Sequence, residues 1–423
     1  MIQGRVIVCL ASSWDYDPTS KHQIMRILSR YNDIVWVNYH GTRKPGPTVA
    51  DVSAGLGALR RVARGRVRVS PSMIQVTPLV IPGARTRAAR WLHQRMLTAQ
   101  IRRALRSLPN ASEKPLQTWT FAPDVPYLIG QFGEECFVYY CVDDYTQFED
   151  FDTQAIIQSE NSLLRRADLV VTTSQSLWET KRAVRDDAVL VRHGVDYDHF
   201  AAAWREPPAK PRDVEALAEP MFGFFGLIHH WIDCELIAQV AGLRPGYSFV
   251  LIGDRRVDVS RLESLPNVHL LGHRPYRELP AYCRAFTAGL LPFARNAMTR
   301  NINPIKMYEY LAAGLPVVST PLPEARRHEG PIRIAESPEA FAAACDAVVA
   351  GDPRGRAAEI SETVRARSWS STVEDLSGIV MKHLREPARS PFPSAIREPL
   401  ASVRADVRSS ESCDSLESAS VRS

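Results

Sequence analysis

The stretch Asn301-Ile302-Asn303-Pro304-Ile305-Lys306-Met307-Tyr308-Glu309-Tyr310-Leu311-Ala312-Ala313-Gly314-Leu315-Pro316-Val317-Val318-Ser319-Thr320 reads as a capped helix, a glycine stop and a buried strand. Asn303 has the short polar side chain of an N-cap, Pro304 fits the first helical position, and Gly314 fits the C-terminal stop. Free N–H groups at such a helix start attract an anion, and Lys306 in the first turn adds a full positive charge. Glu309 follows at i, i+3, which sets a carboxylate beside that cation. The trio fits a nucleotide diphosphate, with backbone and lysine for the phosphates and the carboxylate for ribose hydroxyls. A Lys–Glu pair at this spacing also occurs as a plain exposed helix pair, so the surroundings must decide.

The chain has 423 residues, room for two domains and some excess, and its hydrophobic content of 45% supports globular cores. No run approaches the ~20 apolar residues that span a bilayer. The opening MIQGRVIVCLASSWDYD reads as a first strand rather than a signal peptide. Seven cysteines are scattered without a C-x-x-C pair, which suggests neither a disulfide framework nor a zinc site and fits a reducing cytosol.

Strand-like runs alternate with helical stretches, the pattern of parallel sheets with crossover helices. In the first half they fall at 5–10, 33–39, 73–80, 116–120, 137–142, 169–173 and 189–192. A proline-laced segment at 204–220 then reads as a linker. A second series follows at 221–227, 247–252, 267–271, 288–292, 315–319 and 332–335. The expected architecture is α/β, with two Rossmann-like domains facing a cleft. The first spans 1–200 and takes a different substrate; a linker covers 201–220; the second, for the nucleotide, spans 221–370. A C-terminal helix at 371–385 packs back, and the Ser/Pro-rich tail 386–423 is expected to be disordered.

Net charge is only +5, yet Val52–Ser112 holds no acidic residue and twelve arginines: Arg60, Arg61, Arg64, Arg66, Arg68, Arg85, Arg87, Arg90, Arg95, Arg102, Arg103 and Arg106. Leu97, Ile101, Leu105 and Leu108 recur at helical spacing within it, with Trp91, Leu92 and Met96 nearby. The segment predicts a basic amphipathic helix. Its plain reading is a domain helix with a solvated face; its functional reading is docking of segment 60–106 on an anionic membrane. Nucleic acid is disfavoured, because no reader module or interleaved aromatics accompany the arginines.

Three segments together resemble a glycosyltransferase of the GT-B fold, of the group 1 or family 4-like class, over roughly residues 5–385. One is Arg165–Ser174 followed by His193-Gly194-Val195-Asp196 and Phe200. The second is Phe225-Gly226 through Asp233 with Phe249–Gly253, and the third is the opening stretch, similar to the family's E-x7-E donor signature. The resemblance implies a nucleotide-sugar donor and no cofactor or metal. It makes Glu309 the second glutamate of the signature, which contacts ribose in relatives. Asn301 stands where the first glutamate belongs and cannot place a negative charge near the reacting centre. The Arg and Lys usual after the glycine turn are absent; His229 and His230 stand there instead. Expected donor-binding residues are therefore Gly226, His229, Arg300, Asn301, Asn303, Lys306 and Glu309. The N-P-x-K-x-x-E-Y-L form and the pair Asp143-Asp144 are similar to bacterial surface-polysaccharide relatives. These transfer sugars to polyprenyl-linked or other glycan acceptors at the inner face of the cytoplasmic membrane.

Charge builds on the departing diphosphate during transfer, so Lys306 counts among the catalytic candidates. An inverting reaction also needs a base at the acceptor hydroxyl. Asp143 comes first, Asp144 second and His22 third, with turn or cap duty as the alternative for the aspartates. A retaining reaction could pass the proton to the leaving phosphate, and both outcomes remain open. Two other readings stay beside the transferase: a sugar-nucleotide epimerase of the same fold, and a non-catalytic scaffold of a glycan-assembly complex.

Overall fold

The computed structural model describes residues 1–39, 65–79, 86–148, 151–328 and 330–385. Among them, eight strands form the first sheet: β1 (Val6–Ala11), β2 (Asp33–Asn38), β3 (Arg66–Ser70), β4 (Met73–Val76), β5 (Leu116–Thr120), β6 (Cys136–Cys141), β7 (Leu169–Thr172) and β8 (Val189–Leu190), in the order β3-β4-β2-β1-β5-β6-β7-β8. Only the β3–β4 pair is antiparallel. The second sheet is parallel, with β9 (Met221–Phe225), β10 (Ser248–Ile252), β11 (Val268–Gly272), β12 (Ala288–Leu291), β13 (Val317–Ser319) and β14 (Ile332–Ile334) in the order β11-β10-β9-β12-β13-β14. Strand order reverses between β1 and β5 in the first sheet and between β9 and β12 in the second. Open α/β sheets hold ligands beyond the carboxyl ends of strands at such points.

Both faces of the first sheet are covered, which is why its central strands are apolar throughout. Along β1, Val6, Val8 and Leu10 join a core that includes Leu97, Ile101 and Leu105 of the helix Arg87–Leu105. Ile7, Cys9 and Ala11 point the other way, into a core shared with Trp369, Val373, Leu376 and Val380. Those four belong to the C-terminal helix Trp369–Met381, which crosses back onto the first domain. Arg385 extends the attachment by donating to the Asp168 carboxylate at 2.5 Å.

Several expectations change. The segment 201–220 is not a free linker: Phe200, Ala201, Ala203 and Val214 are buried in the second domain's core, on the helices Tyr197–Arg205 and Arg212–Glu215. Its apolar residues outweigh its prolines. The strand β3 lies inside the arginine run, and its outward valines give no alternation against a buried face. The expected cap also moves. Pro304 takes the N-cap position of the helix Ile305–Ala312, without a side-chain cap, while the Asn303 amide donates to the Thr173 carbonyl at 2.9 Å. The tail from residue 386 and the arginines Arg60, Arg61, Arg64 and Arg85 lie outside the described residues.

Two glycines paired across β9 and β12, Gly223 and Gly289, let aromatic rings lie flat on the second sheet. A Cβ at Gly289 would fall 2.3 Å from the Tyr310 ring, and one at Gly223 only 1.9 Å from Phe286. Phe286 is fully packed, so Gly223→Ala is expected to lower stability by ~1–3 kcal/mol through overpacking. Gly242, in the helix Cys234–Leu243, has open space around its missing Cβ, and Gly242→Ala should stabilise by up to ~1 kcal/mol. Urea midpoints of the two variants should move in opposite directions.

Candidate functional site

The helix Ile305–Ala312 is fixed by Tyr310, whose ring covers Gly289 and whose hydroxyl accepts from the Phe225 N–H at 3.1 Å. This bond ties the helix to the last residue of β9. One residue further, Gly226 has φ +135°, and a Cβ there would stand 2.1 Å from Lys306 Cε and 2.6 Å from Nζ. The lysine stem therefore occupies the space a side chain at 226 would take. Gly253 ends β10 with φ +143°, and its missing Cβ would stand 2.0 Å from the Gly226 carbonyl oxygen. Two bare strand ends and a lysine thus share one spot at the sheet's switch point.

Burial pushes the Lys306 amine below its usual range, while Glu309 and Asp17 oppose the fall. Glu309 is 7% exposed. Burial pushes its carboxyl up to about 7; Lys306 and the Tyr276 hydroxyl pull it down, and Asp196 and Asp17 push it further up. Asp17 comes from the loop after β1 and reaches across to His273, 2.9 Å away. Asp17 of the first domain thus acts electrostatically on both Lys306 and Glu309.

A polar seam joins the two domains beside this pair. Asn301 Nδ2 donates to Asp144 Oδ2 at 3.0 Å, and Ser174 Oγ donates to the Asn301 carbonyl at 2.6 Å. Glu324, 1% exposed, accepts from the Gln175 N–H at 2.7 Å and from Arg192 at 2.8 Å. Asp144 spends its other oxygen on Thr146, accepting from its N–H and hydroxyl. The structure therefore sets Asp144 at the seam as a turn and clamp residue, the cap duty that competed with catalysis.

Asp143 points elsewhere. It lines a cavity of about 260 Å³ at the first sheet's switch point, with Lys21, Ser12, Tyr16, Tyr39, Phe121, Tyr145, Phe148 and Phe151. Among the described residues of that lining it is the one carboxylate and Lys21 the one cation. Burial raises the Asp143 carboxyl, with Lys21 pulling it down and Asp144 pushing it up. The Lys21 amine is lowered by burial and supported by Asp143. Such a wall, aromatic with one carboxylate and one amine, fits a ligand with apolar faces and hydroxyl edges.

His22, beside Lys21 in sequence, does not share this cavity. It is 2% exposed, its Nδ1 faces the Thr19 N–H at 3.1 Å, and its Nε2 meets the Ser13 carbonyl at 3.0 Å. Burial lowers it to about 4. It is a neutral capping residue, not an acceptor base. Arg300 is also redirected: the short helix Ala297–Arg300 turns it into a separate cavity that neither Lys306, Glu309 nor Gly226 lines. His229 stacks on Trp231 with centroids 4.3 Å apart and its Nδ1 accepts from the His230 N–H, on the loop after Gly226. Sequence reading missed Lys21, Tyr276, Asp17 and Glu324. Lys21 alone carried a local signal, as the cation that opens the helix after β1.

The Glu309 shift has a consequence for stability. Below its ordinary 4.5 the carboxyl is protonated in both folded and unfolded chains and contributes nothing. Between 4.5 and about 7 the unfolded chain ionises while the folded one keeps its proton, so stability falls as pH rises. Glu309→Gln should escape this loss and gain up to ~3 kcal/mol over the native chain above pH 7. Urea unfolding of both proteins from pH 4.5 to 8 measures it; a constant difference across that range would refute it.

The family model described as Glycosyl transferases group 1 matches residues 219–350, the part that carries β9–β14 and the Lys306 helix. The putative teichuronic acid biosynthesis glycosyltransferase TuaH of Bacillus subtilis (strain 168) is 25% identical over 273 residues, 60% of this chain and 68% of that protein. Among solved structures, sucrose-phosphate synthase from Thermosynechococcus elongatus superposes with a TM-score of 0.64 at 15% identity, covering 89% of this chain and 98% of its own. Anabaena HepE in complex with UDP-glucose gives 0.62 at 14% identity, covering 89% and 99%. These two structures show the same two-domain fold. The chain is thus a glycosyltransferase of the GT-B fold, and its second domain is a group 1 glycosyltransferase domain.

Proposed function

We propose that this enzyme moves a sugar from a UDP-linked donor to a hydroxyl of a lipid-linked or surface-polysaccharide acceptor, at the cytoplasmic face of an anionic membrane and without a cofactor. The observation that carries the donor half is Lys306 lying in the side-chain space of Gly226, with Glu309 one turn behind it. Lys306 and the N–H groups at the start of the helix Ile305–Ala312 would take the diphosphate, and Glu309 the ribose hydroxyls. HepE, a protein of the same fold, was crystallised with UDP-glucose, which supports uracil as the base.

In the proposed reaction an acceptor hydroxyl in the aromatic cavity attacks the anomeric carbon. The bond from that carbon to the phosphate oxygen breaks, and the nucleoside diphosphate leaves with the electron pair. Negative charge grows on the phosphate oxygens, where a desolvated ammonium ion stabilises it most strongly. The hydroxyl proton passes to Asp143, the cavity's own carboxylate. Lys21 beside it opposes the effect of burial on that carboxylate.

The membrane half rests on one face of the first domain. Arg90, Arg95, Arg102, Arg103 and Arg106 are exposed on or just after the helix Arg87–Leu105. Trp91 is 57% and Leu92 46% exposed, and Arg95 lies 5.1 Å over the Trp91 ring. Arg66 of β3 donates to the Arg103 carbonyl, which brings the exposed Val67 and Val69 alongside. Cations around protruding apolar side chains suit the headgroup region of an anionic bilayer. No described helix is long and apolar enough to cross a membrane.

Lys306→Ala should lower kcat/KM for UDP release from a UDP-sugar by at least ~10²-fold while thermal unfolding stays cooperative. Near-normal turnover would remove Lys306 from the donor site. Replacing Arg95, Arg102 and Arg103 by Gln should weaken binding to phosphatidylglycerol vesicles ~10²-fold, at about 1 kcal/mol per basic residue. Donor hydrolysis in solution should not change. Equal vesicle binding by the variant and the native chain would overturn the membrane assignment.

A further inference from the structure

A cavity of about 460 Å³ is used by neither half of the proposed reaction. It opens at the carboxyl ends of β12 and β13, between residues 294–300 and 320–326. Arg295, Arg300 and Arg326 line it, and among the described residues no carboxylate does. Its other polar side chains, the Asn296 amide nitrogen apart, are engaged by the protein itself. Asn296 Oδ1 accepts from the Thr299 N–H, the Thr299 hydroxyl donates to the Ala294 carbonyl, and the Thr320 hydroxyl donates to the Phe293 carbonyl. The arginines are the charged donors left over.

The nearby acids neutralise Arg326 alone and leave Arg295 and Arg300 without a carboxylate. Glu324 turns away into the domain seam, where Gln175 and Arg192 hold it. Glu336 pairs with Arg326 at the rim, and Arg295 reaches only its carbonyl, at 3.5 Å. The Arg300 guanidinium has no side-chain partner among the described residues. A cavity of this size, with an excess of planar forked donors, is matched to oxyanions rather than to neutral hydroxyls. Arg300 directly precedes Asn301, the residue that bonds Asp144 beside the acceptor cavity. An occupant would therefore lie within reach of the same glycan.

We infer that this arginine cavity is a subsite for an anionic sugar unit, bearing a carboxylate or a phosphate, of the acceptor glycan. The inference rests on the proposed transfer to a glycan and adds that the glycan is acidic. It makes the enzyme selective for growing chains that carry negative charge, since a neutral chain would leave the guanidinium groups unpaired.

Direct binding tests it without requiring turnover, so failure here differs from failure of the transferase assignment, which shows as no UDP release from any donor. With UDP saturating the Lys306 site, glucuronate, glucose 6-phosphate and glucose are titrated onto the full chain by calorimetry. One or both anionic sugars should bind at least about tenfold more tightly than glucose, and the preference should fade as salt is raised. Which of the two binds distinguishes carboxylate from phosphate. In the Arg295→Gln, Arg326→Gln double variant the preference should drop about tenfold, while vesicle binding and UDP-sugar hydrolysis remain as in the native chain. Equal binding of glucose, or an anion preference untouched by the double substitution, would overturn the subsite. The latter result would assign the anions to the arginine face of the first domain.

Discussion

Everything in the donor half depends on two side chains that are missing. Without a Cβ at Gly289, the Tyr310 ring settles against the second sheet, and its hydroxyl reaches the Phe225 N–H. The helix that follows Pro304 is thereby locked at one height above β9. Without a Cβ at Gly226, the Lys306 stem folds down over the strand end instead of projecting into solvent. The ammonium group is partly stripped of water before any ligand arrives. That costs free energy in the empty protein, visible in the lowered lysine and raised glutamate pKa values. It also means that the water need not be removed when a diphosphate binds.

The seam converts this local arrangement into a two-domain site. Asn301 and Asn303, which introduce the Lys306 helix, both bond to the ends of first-domain strands, through Asp144 and Thr173. Asp144 adjoins Asp143, so one backbone turn after β6 carries a clamp on the Asn301 loop and the carboxylate of the aromatic cavity. A shift of the second domain against the first would change both together. The substitution of Asn301 for a glutamate is intelligible here. A carboxylate at 301 would face the Asp144 carboxylate, and like charges 3.0 Å apart would open the seam rather than hold it.

Much of this was legible in the sequence where the signal is local. The strand runs of both sheets, the glycine after FGFF and the Lys306–Glu309 spacing announce themselves through short-range pattern, and the resemblance to GT-B enzymes joined them. What the sequence hid is tertiary. Asn303 looks like a helix cap because its composition and position fit one, yet its amide is claimed by Thr173, 130 residues away. Arg300 looks like a partner of Lys306 because it is six residues distant, but it ends a four-residue helix that places it at another cavity. His22 has the chemistry of a base and a loop address, and only packing between Trp14 and Trp36 reveals that its ring is closed to substrate. The strand β3 escaped because an exposed edge strand needs no apolar alternation.

The positive charges of this chain are divided by degree of hydration, and the division follows their tasks. Lys306 and Lys21 are compact ammonium groups held in the cleft, each opposed by a carboxylate, Glu309 and Asp143. Removing them from water is expensive, and the paired carboxylates offset that cost while leaving the amine free to reach a ligand. Arg90, Arg95, Arg102 and Arg103 of the helix Arg87–Leu105, and the three arginines of the cavity at the ends of β12 and β13, remain exposed, where weakly hydrated guanidinium groups would meet anions with little desolvation. Exchanging the two types would fail on both sides. A guanidinium over Gly226 would be too broad for the space the glycine leaves, and lysines on the outer helix would give up the stacking that Arg95 makes on Trp91.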